Sequence, residues 1–262
     1  VRYGYKNPIE TFEVNTMGTA HLLEAVRSLT KKCTVVLITT DKVYKNIEQD
    51  YAYVEDDQLG GYDPYSASKA AAEIVIDSYK NSYFNSDQFS NHQKAIVSVR
   101  AGNVIGGGDF NEDRLVPDII RALKNNETIL LRNPGAVRPW QHVLEPLSGY
   151  LRLGVLANND SIKYAGAYNF GPDMDDHLTV KELVELAIKN WGSGNWKDIT
   201  NANQPHEAGL LQLNITRAKN QLGWQPRLNS QQAIEWTIDW YKKSAQEIFD
   251  FTIKQISDYQ GA

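Results

Sequence analysis

The sequence predicts an α/β fold built on a doubly wound parallel sheet, accompanied by a smaller and more irregular unit. Three observations carry that reading. Short runs rich in β-branched or aromatic residues, at 34–38, 95–99 and 167–170, alternate with longer segments whose apolar residues recur at helical spacing. Each run follows a helical segment rather than a two-residue turn, as parallel strands joined by crossover connections do. Each also gives way to a loop rich in Thr, Asp, Gly or Pro, and ligands of open α/β sheets bind beyond the carboxyl ends of strands.

Taken in order, Asn7-Pro8 opens the first helix, with Asn as N-cap and Pro at the first helical position. Ile9, Phe12, Leu22, Val26 and Leu29 continue it at helical spacing. Thr34 to Ile38 reads as a buried parallel strand. The polar stretch 41–62 ends in Gly60-Gly61 and is a loop, after which Pro64 starts a helix reaching about Phe84. Ala67, Ala70 and Ala71 leave one side of that helix open to close packing. Strand Ala95 to Val99 leads into a glycine-rich stretch from Gly102 to Asp113, with Gly106-Gly107-Gly108 read as a flexible turn. Leu115 to Leu123 is helical, Thr128 to Leu131 a strand, Leu144 to Leu156 a helix despite Pro146, and Ala167 to Phe170 a strand. Thr179 and Glu182 form a capping box for a helix that Gly192-Ser193-Gly194 stops. Leu222-Gly223-Trp224-Gln225-Pro226 turns into the last helix, from about Ser230.

The expected division is 1–108 with 138–172 in the sheet unit, and 109–137 with 173–262 in the smaller one. So few strands make a poor sheet, and no G-x-G-x-x-G follows an early strand. Further strands are therefore expected upstream of Val1, which is not a methionine.

Composition narrows the function classes. A net charge of −5 argues against nucleic acid as the main partner, because phosphate binding needs a basic face. The longest aliphatic run, Val35 to Ile38, is far too short to cross a bilayer. The single cysteine, Cys33, has no internal partner and fits a reducing cytoplasm.

Two stretches carry chemistry. Tyr65 and Lys69 are four residues apart and share a helix face, so the ammonium can sit beside the phenol and favour its ionised form. A Tyr-x-x-x-Lys spacing alone is common in surface helices. Thr39-Thr40-Asp41-Lys42 sets a hydroxyl, a carboxylate and an amine just past the first strand, and taken alone would be a solvated turn. The two stretches together point to a site.

Strand, Thr40, Tyr65 and Lys69 resemble the Thr/Tyr/Lys pattern of the extended short-chain dehydrogenases/reductases. Further stretches match that family: Asn15, Gly18-Thr19 and Leu22 to Ala25, Arg100 to Val104, Arg138 to Val143, and Tyr168 to Gly171. Within it, Asp41 resembles the acid of the nucleotide-sugar 4,6-dehydratases, and the 4-epimerases generally lack an acid there. The dTDP-glucose and GDP-mannose branches carry Glu at the position of Lys42. The Asp-Lys pair, with Gly60 to Tyr65, Gly102 to Asp109, Arg138 to His142, Pro205 to Ala208 and Leu222 to Trp224, resembles the branch that acts on CDP-glucose.

The resemblance implies a partial Rossmann-type sheet lacking its first strands, roughly 80 to 100 residues on the order of three βα units. It implies a substrate-binding character for the smaller domain and NAD as cofactor, contacted by Tyr65 and Lys69. It further implies a redox-neutral reaction on a nucleotide-diphosphate sugar. Tyr65 takes the 4-hydroxyl proton as hydride leaves C4, with Lys69 lowering its pKa and Thr40 bonding the 4-oxygen. Asp41 protonates the 6-hydroxyl as it departs, and hydride returns to C6. Lys42 serves either as the C5 base or indirectly. Asn103 and Arg138, then Arg132 and His206, are the substrate-binding candidates, since arginine offers phosphate a paired, charge-assisted fork. The alternatives are a 4-epimerase and a non-catalytic fragment unable to bind NAD. Related proteins also imply a homodimer through helices 8–29 and 64–84.

Overall fold

The computed structural model describes residues 1–200 and 210–261. They form two compact units, one of 1–102, 147–170 and 210–225, the other of 103–146, 171–200 and 226–261.

The first unit is built on three parallel strands, with Lys94–Ala101 between Cys33–Ile38 and Gly166–Phe170. The central strand is buried along its whole length, longer at both ends than its apolar run predicts. Lys94 joins it because its ammonium is taken up by the carbonyls of Lys31 and His92, at 2.6 and 2.9 Å. Side chains alternate between the two faces of a strand. Ala95, Val97, Val99 and Ala101 accordingly pack with Leu153, Tyr168, Phe170, Leu222 and Trp224. Ile96 faces the other way, with Leu23, Val26, Leu37 and Ile76. Ser98 and Arg100 share that second face by the same alternation, which brings both to Glu73 of helix Pro64–Ser82.

The first long helix is more irregular than predicted. Pro8–Phe12 and Gly18–Arg27 are joined by a π turn, Glu13–Met17, and a short helix, Arg2–Lys6, precedes them. Asn7 does not cap through its side chain; its carbonyl instead accepts from the Thr11 amide and hydroxyl. At the π turn, Asn15 Nδ2 donates to Ser68 Oγ (2.9 Å) and Thr16 Oγ1 to the Ser68 carbonyl (2.9 Å). The irregular turn thus docks beside Lys69, and π turns inside α-helices frequently occur at functional sites.

In the second unit, helices Leu115–Lys124, Val180–Trp191 and Ser230–Tyr241 enclose a core of Ile119, Leu123, Leu131, Leu183, Ile234 and Ile238. The Thr179–Glu182 capping box forms as predicted, and Gly192, at φ +109°, ends that helix. Three short strand pairs complete it: Asn103–Ile105 with Trp140–His142, Ile129–Leu131 with Trp196–Asp198, and Val137–Arg138 with Leu178–Thr179.

The division differs from the expected one: residues 103–108 and 171–172 also fall in the second unit, and two larger shifts have a visible cause. Residues 138–146 go with the second unit because Trp140–His142 pairs with Asn103–Ile105. Residues 210–225 go with the first because Ile215, Ala218, Leu222 and Trp224 are buried against Tyr168 and Phe170. Trp224 also meets the Phe170 ring edge-on at 4.9 Å and donates to Ser148 at 2.9 Å. The helix from Ser230 is not the last, since Ile248–Gly261 follows it. The glycine run is a packed turn: a Cβ on Gly107 would lie 2.0 Å from the Trp240 ring.

Candidate active site

Strand Cys33–Ile38 ends at the level of Val99, and Thr39 still bonds across to it, its amide donating to the Val99 carbonyl at 2.9 Å. The chain then turns. Thr40 is extended and caps the 3-10 turn Asp41–Val43, accepting from the Lys42 amide at 3.4 Å. That turn packs against helix Pro64–Ser82.

Its side chains form one contact group. Thr40 Oγ1 donates to Asp41 Oδ1 at 2.9 Å, and Lys42 Nζ stands 3.6 Å from the same oxygen. Asp41 is only 1% exposed, and its Oδ2 is buried with no hydrogen-bond partner. An unmet buried acceptor costs about 1–3 kcal/mol, more for a charged group, so this oxygen is an expensive feature to retain. Tyr150, from helix Leu144–Asn159, lies in the field of that carboxylate. Burial raises the Tyr150 phenol well above the ordinary tyrosine value, and the Asp41 charge raises it further.

Tyr65 and Lys69 stand on the opposing helix. Asp63 anchors its first turn, with Oδ1 accepting from the amides of Tyr65 (3.0 Å) and Ser66 (3.1 Å). Gly61 lets the incoming loop cross that turn, where a Cβ would sit 2.2 Å from the Ala67 nitrogen. Both Tyr65 and Lys69 are half-buried. Lys69 Nζ donates to the Ile38 carbonyl at 3.4 Å, which ties it to the same strand end that presents Thr40. Burial lowers the Lys69 pKa, and the nearby Glu73 carboxylate works in the opposite direction.

Behind this layer is a buried polar network that sequence reasoning missed. Glu73, 1% exposed, accepts from Thr39 Oγ1 (2.5 Å), Ser98 Oγ (3.0 Å), Arg100 Nε (3.0 Å) and Arg100 Nη2 (2.9 Å). Arg100 donates onward to Tyr44 Oη (3.0 Å) and the Glu55 carbonyl (2.8 Å), and Tyr44 donates to Asn169 (2.7 Å). Burial pushes the Tyr44 phenol up to about 12 despite the adjoining guanidinium. Glu73 sits four residues beyond Lys69, so helical spacing was the signal that could have found it. Tyr150 had none, being brought to Asp41 by a helix about 110 residues later in the chain.

Asn103, Arg132 and Arg138 belong to the second unit. Asn103 begins a strand, its amide donating to the Pro139 carbonyl at 3.2 Å, so its backbone lies next to the stretch that carries Arg138. Arg138 Nη1 donates to the Val137 carbonyl at 2.9 Å, and Arg132 pairs with Asp113 at 3.2 Å. His206 lies outside the described residues.

Comparison with known proteins identifies the family. The family described as GDP-mannose 4,6 dehydratase matches residues 1–237. The chain is 43% identical over 264 aligned residues to a CDP-glucose 4,6-dehydratase of Salmonella typhimurium, covering 100% of this chain and 74% of that protein. It is 26% identical over 238 residues to human dTDP-D-glucose 4,6-dehydratase, covering 88% of this chain and 62% of that one. Among solved structures, the Streptomyces venezuelae dTDP-glucose 4,6-dehydratase with NAD and TYD bound superimposes with a TM-score of 0.79. Its identity is 22%, over 96% of this chain and 72% of that one, a likeness of fold. The parallel sheet with Thr40 at its strand end, the Tyr65/Lys69 helix and these matches agree, and the chain belongs to the GDP-mannose 4,6 dehydratase family.

Proposed function

We propose that the chain carries the catalytic groups of a nucleotide-sugar 4,6-dehydratase acting on CDP-glucose, with CDP-4-keto-6-deoxyglucose and water as products. The observation that carries this reading is Asp41: Oδ1 is held by Thr40 and Lys42, while Oδ2 is buried and unpartnered. An elimination of water from C6 needs one proton delivered to a departing hydroxyl, and Oδ2 is the oxygen left to carry it. The 43% identity to the Salmonella CDP-glucose enzyme supports the choice of nucleotide.

The residues present fit NAD at its nicotinamide end. Tyr65 and Lys69 lie at the carboxyl end of the parallel strands, where such ligands bind, and Lys69 holds a half-buried ammonium at the Ile38 carbonyl. When bound, NAD supplies the hydride acceptor for C4 and the hydride donor for C6. The chain's own residues move the protons. Tyr65 takes the 4-hydroxyl proton, and Lys69 favours the phenolate by its charge. Thr40 donates to the 4-oxygen once substrate displaces its bond to Asp41. Asp41 gives its proton to the 6-hydroxyl as the Lys42 amine takes the proton from C5. Lys42 Nζ, 3.6 Å from Asp41 Oδ1, is close enough to hand that proton on to the carboxylate, and the same closeness supports an indirect role as its partner.

The first unit serves the dinucleotide and the second the sugar nucleotide, with Asn103, Arg138, Arg132 and His206 on its diphosphate. A homodimer through helices 8–29 and 64–84 is supported by apolar side chains open to solvent there: Ile9, Val14, Leu22 and Ile74 are 72%, 65%, 48% and 61% exposed. Among the described residues no helix is long and apolar enough to cross a membrane.

Incubation of the purified chain with CDP-glucose and NAD tests the reaction. A product lighter by one water, with no net NADH, is expected; inversion at C4 alone would make the chain an epimerase. Calorimetric titration with NAD tests the cofactor reading, and absence of heat would leave a chain that holds catalytic groups without turning over.

A further inference from the structure

The Glu73–Arg100 pair lies just behind the site and takes no part in the chemistry proposed above. We infer that Glu73 is a positioning residue with two tasks: it sets the strand end that presents Thr40 and Asp41, and it keeps Lys69 protonated. The inference rests on reading Lys69 as the cation that tunes Tyr65.

The first task follows from the contacts. Thr39, the residue before Thr40, donates to Glu73 at 2.5 Å, while Ser98 and Arg100 of the central strand hold the same carboxylate at 2.9 to 3.0 Å. One buried carboxylate therefore clamps two strands to the helix that bears Tyr65 and Lys69.

The second task follows from charge and burial. Lys69 is half-buried, and loss of hydration favours its neutral amine. Glu73 lies on the same helix face, one turn further on, and its carboxylate favours the ammonium. It can do so only while ionised itself. Burial pushes the Glu73 carboxyl up, and the Arg100 bonds, together with those from Thr39 and Ser98, more than reverse this. The charged and titratable groups around the carboxylate are Arg100 from the central strand and Lys69 from its own helix. Beyond Arg100, which is held protonated, come the Tyr44 phenol and the Glu55 residue, whose backbone carbonyl accepts from Arg100. Glu73 is thus the carboxylate whose charge opposes the loss of the proton that burial favours at Lys69.

The test is made on the full chain without substrate or cofactor, by pH-dependent acetylation of Lys69 with acetic anhydride, read by peptide mass spectrometry. In Glu73→Gln the labelling midpoint of Lys69 should move to lower pH, with a several-fold higher rate near neutrality, and in Glu73→Asp it should return toward the wild-type position. Because Glu73→Gln leaves a buried guanidinium without its carboxylate, Glu73→Gln/Arg100→Gln is measured alongside, and the same downward shift is expected there. An unmoved midpoint in either folded variant would overturn the inference, since a carboxylate with a packing role alone has no hold on the Lys69 proton. The outcome is independent of the dehydratase reading. A shifted midpoint in a chain that does not convert CDP-glucose would uphold the coupling and defeat the assigned reaction.

Discussion

At the scale of single residues, the site is a problem of protons placed in a dry environment. Asp41 has one oxygen committed to Thr40 and Lys42 and one oxygen unmet, and it is to the unmet one that the proposed acid role is assigned. Asp41→Asn should therefore leave oxidation at C4 intact and stop the loss of water. Reduced cofactor would accumulate by absorbance while the sugar nucleotide fails to lose one water in mass; unchanged product formation would remove Asp41 from the mechanism. His142 gives a second prediction at this scale, on stability. It is 2% exposed, its Nε2 has no partner, and burial pushes its pKa down to about 4 from 6.5. Between those values the unfolded chain binds a proton that the folded chain refuses. Stability from this residue is therefore full above the unfolded value and is lost as pH falls toward the folded one, by about 3 kcal/mol in total. Urea melts from pH 7 to 4.5 should show a steeper decline for the wild type than for His142→Gln. Parallel curves would place the acid sensitivity elsewhere.

At the scale of elements, local chemistry decided most starts and stops, and close approach decided the rest. The Thr179–Glu182 box and the Gly192 stop were legible because capping depends on residues within one turn. Asn7 does not cap through its side chain: it ends the preceding short helix as well as opening the next, with φ −132° and ψ 64°. The pairings of Trp140–His142 and Trp196–Asp198 were not legible, since two- and three-residue strands carry too little periodicity to be told from loops. Glycines show the same contrast. Gly61→Ala would put a methyl 2.2 Å from backbone at the start of the Tyr65 helix, whereas a Cβ at Gly135 meets nothing within 4 Å. The first should cost about 1–3 kcal/mol by thermal melt. The second should stay within roughly 0.5 kcal/mol; equal shifts would mean that the loop yields.

At the scale of the whole molecule, the apolar side chains left on helices 8–29 and 64–84 raise the question of assembly. Leu22 and Ile74 are 48% and 61% exposed, so charged replacements there disturb little of the interior. Leu22→Asp/Ile74→Asp should convert a dimer to monomer in sedimentation velocity while leaving the circular dichroism spectrum unchanged. A wild-type chain that sediments as a monomer would dispose of the dimer directly.

What the sequence determined by itself was the class of fold, the order of its main elements and the family, because each rests on short-range patterns. Alternating strand and helix periodicity gives an α/β chain, a four-residue spacing puts Tyr65 and Lys69 on one face, and adjacency puts Thr40, Asp41 and Lys42 past one strand end. Only the tertiary structure decided which groups surround them. Residues 210–225 return to the first unit, Tyr150 enters the field of Asp41, and Glu73 gathers Thr39, Ser98 and Arg100 around one carboxylate. These are contacts between residues 25 to more than 100 positions apart, set by strand register and by the burial of Trp224 and Phe170. A pattern read along one chain carries no register between distant strands, so the partners that tune a catalytic group appear only once the sheet is assembled.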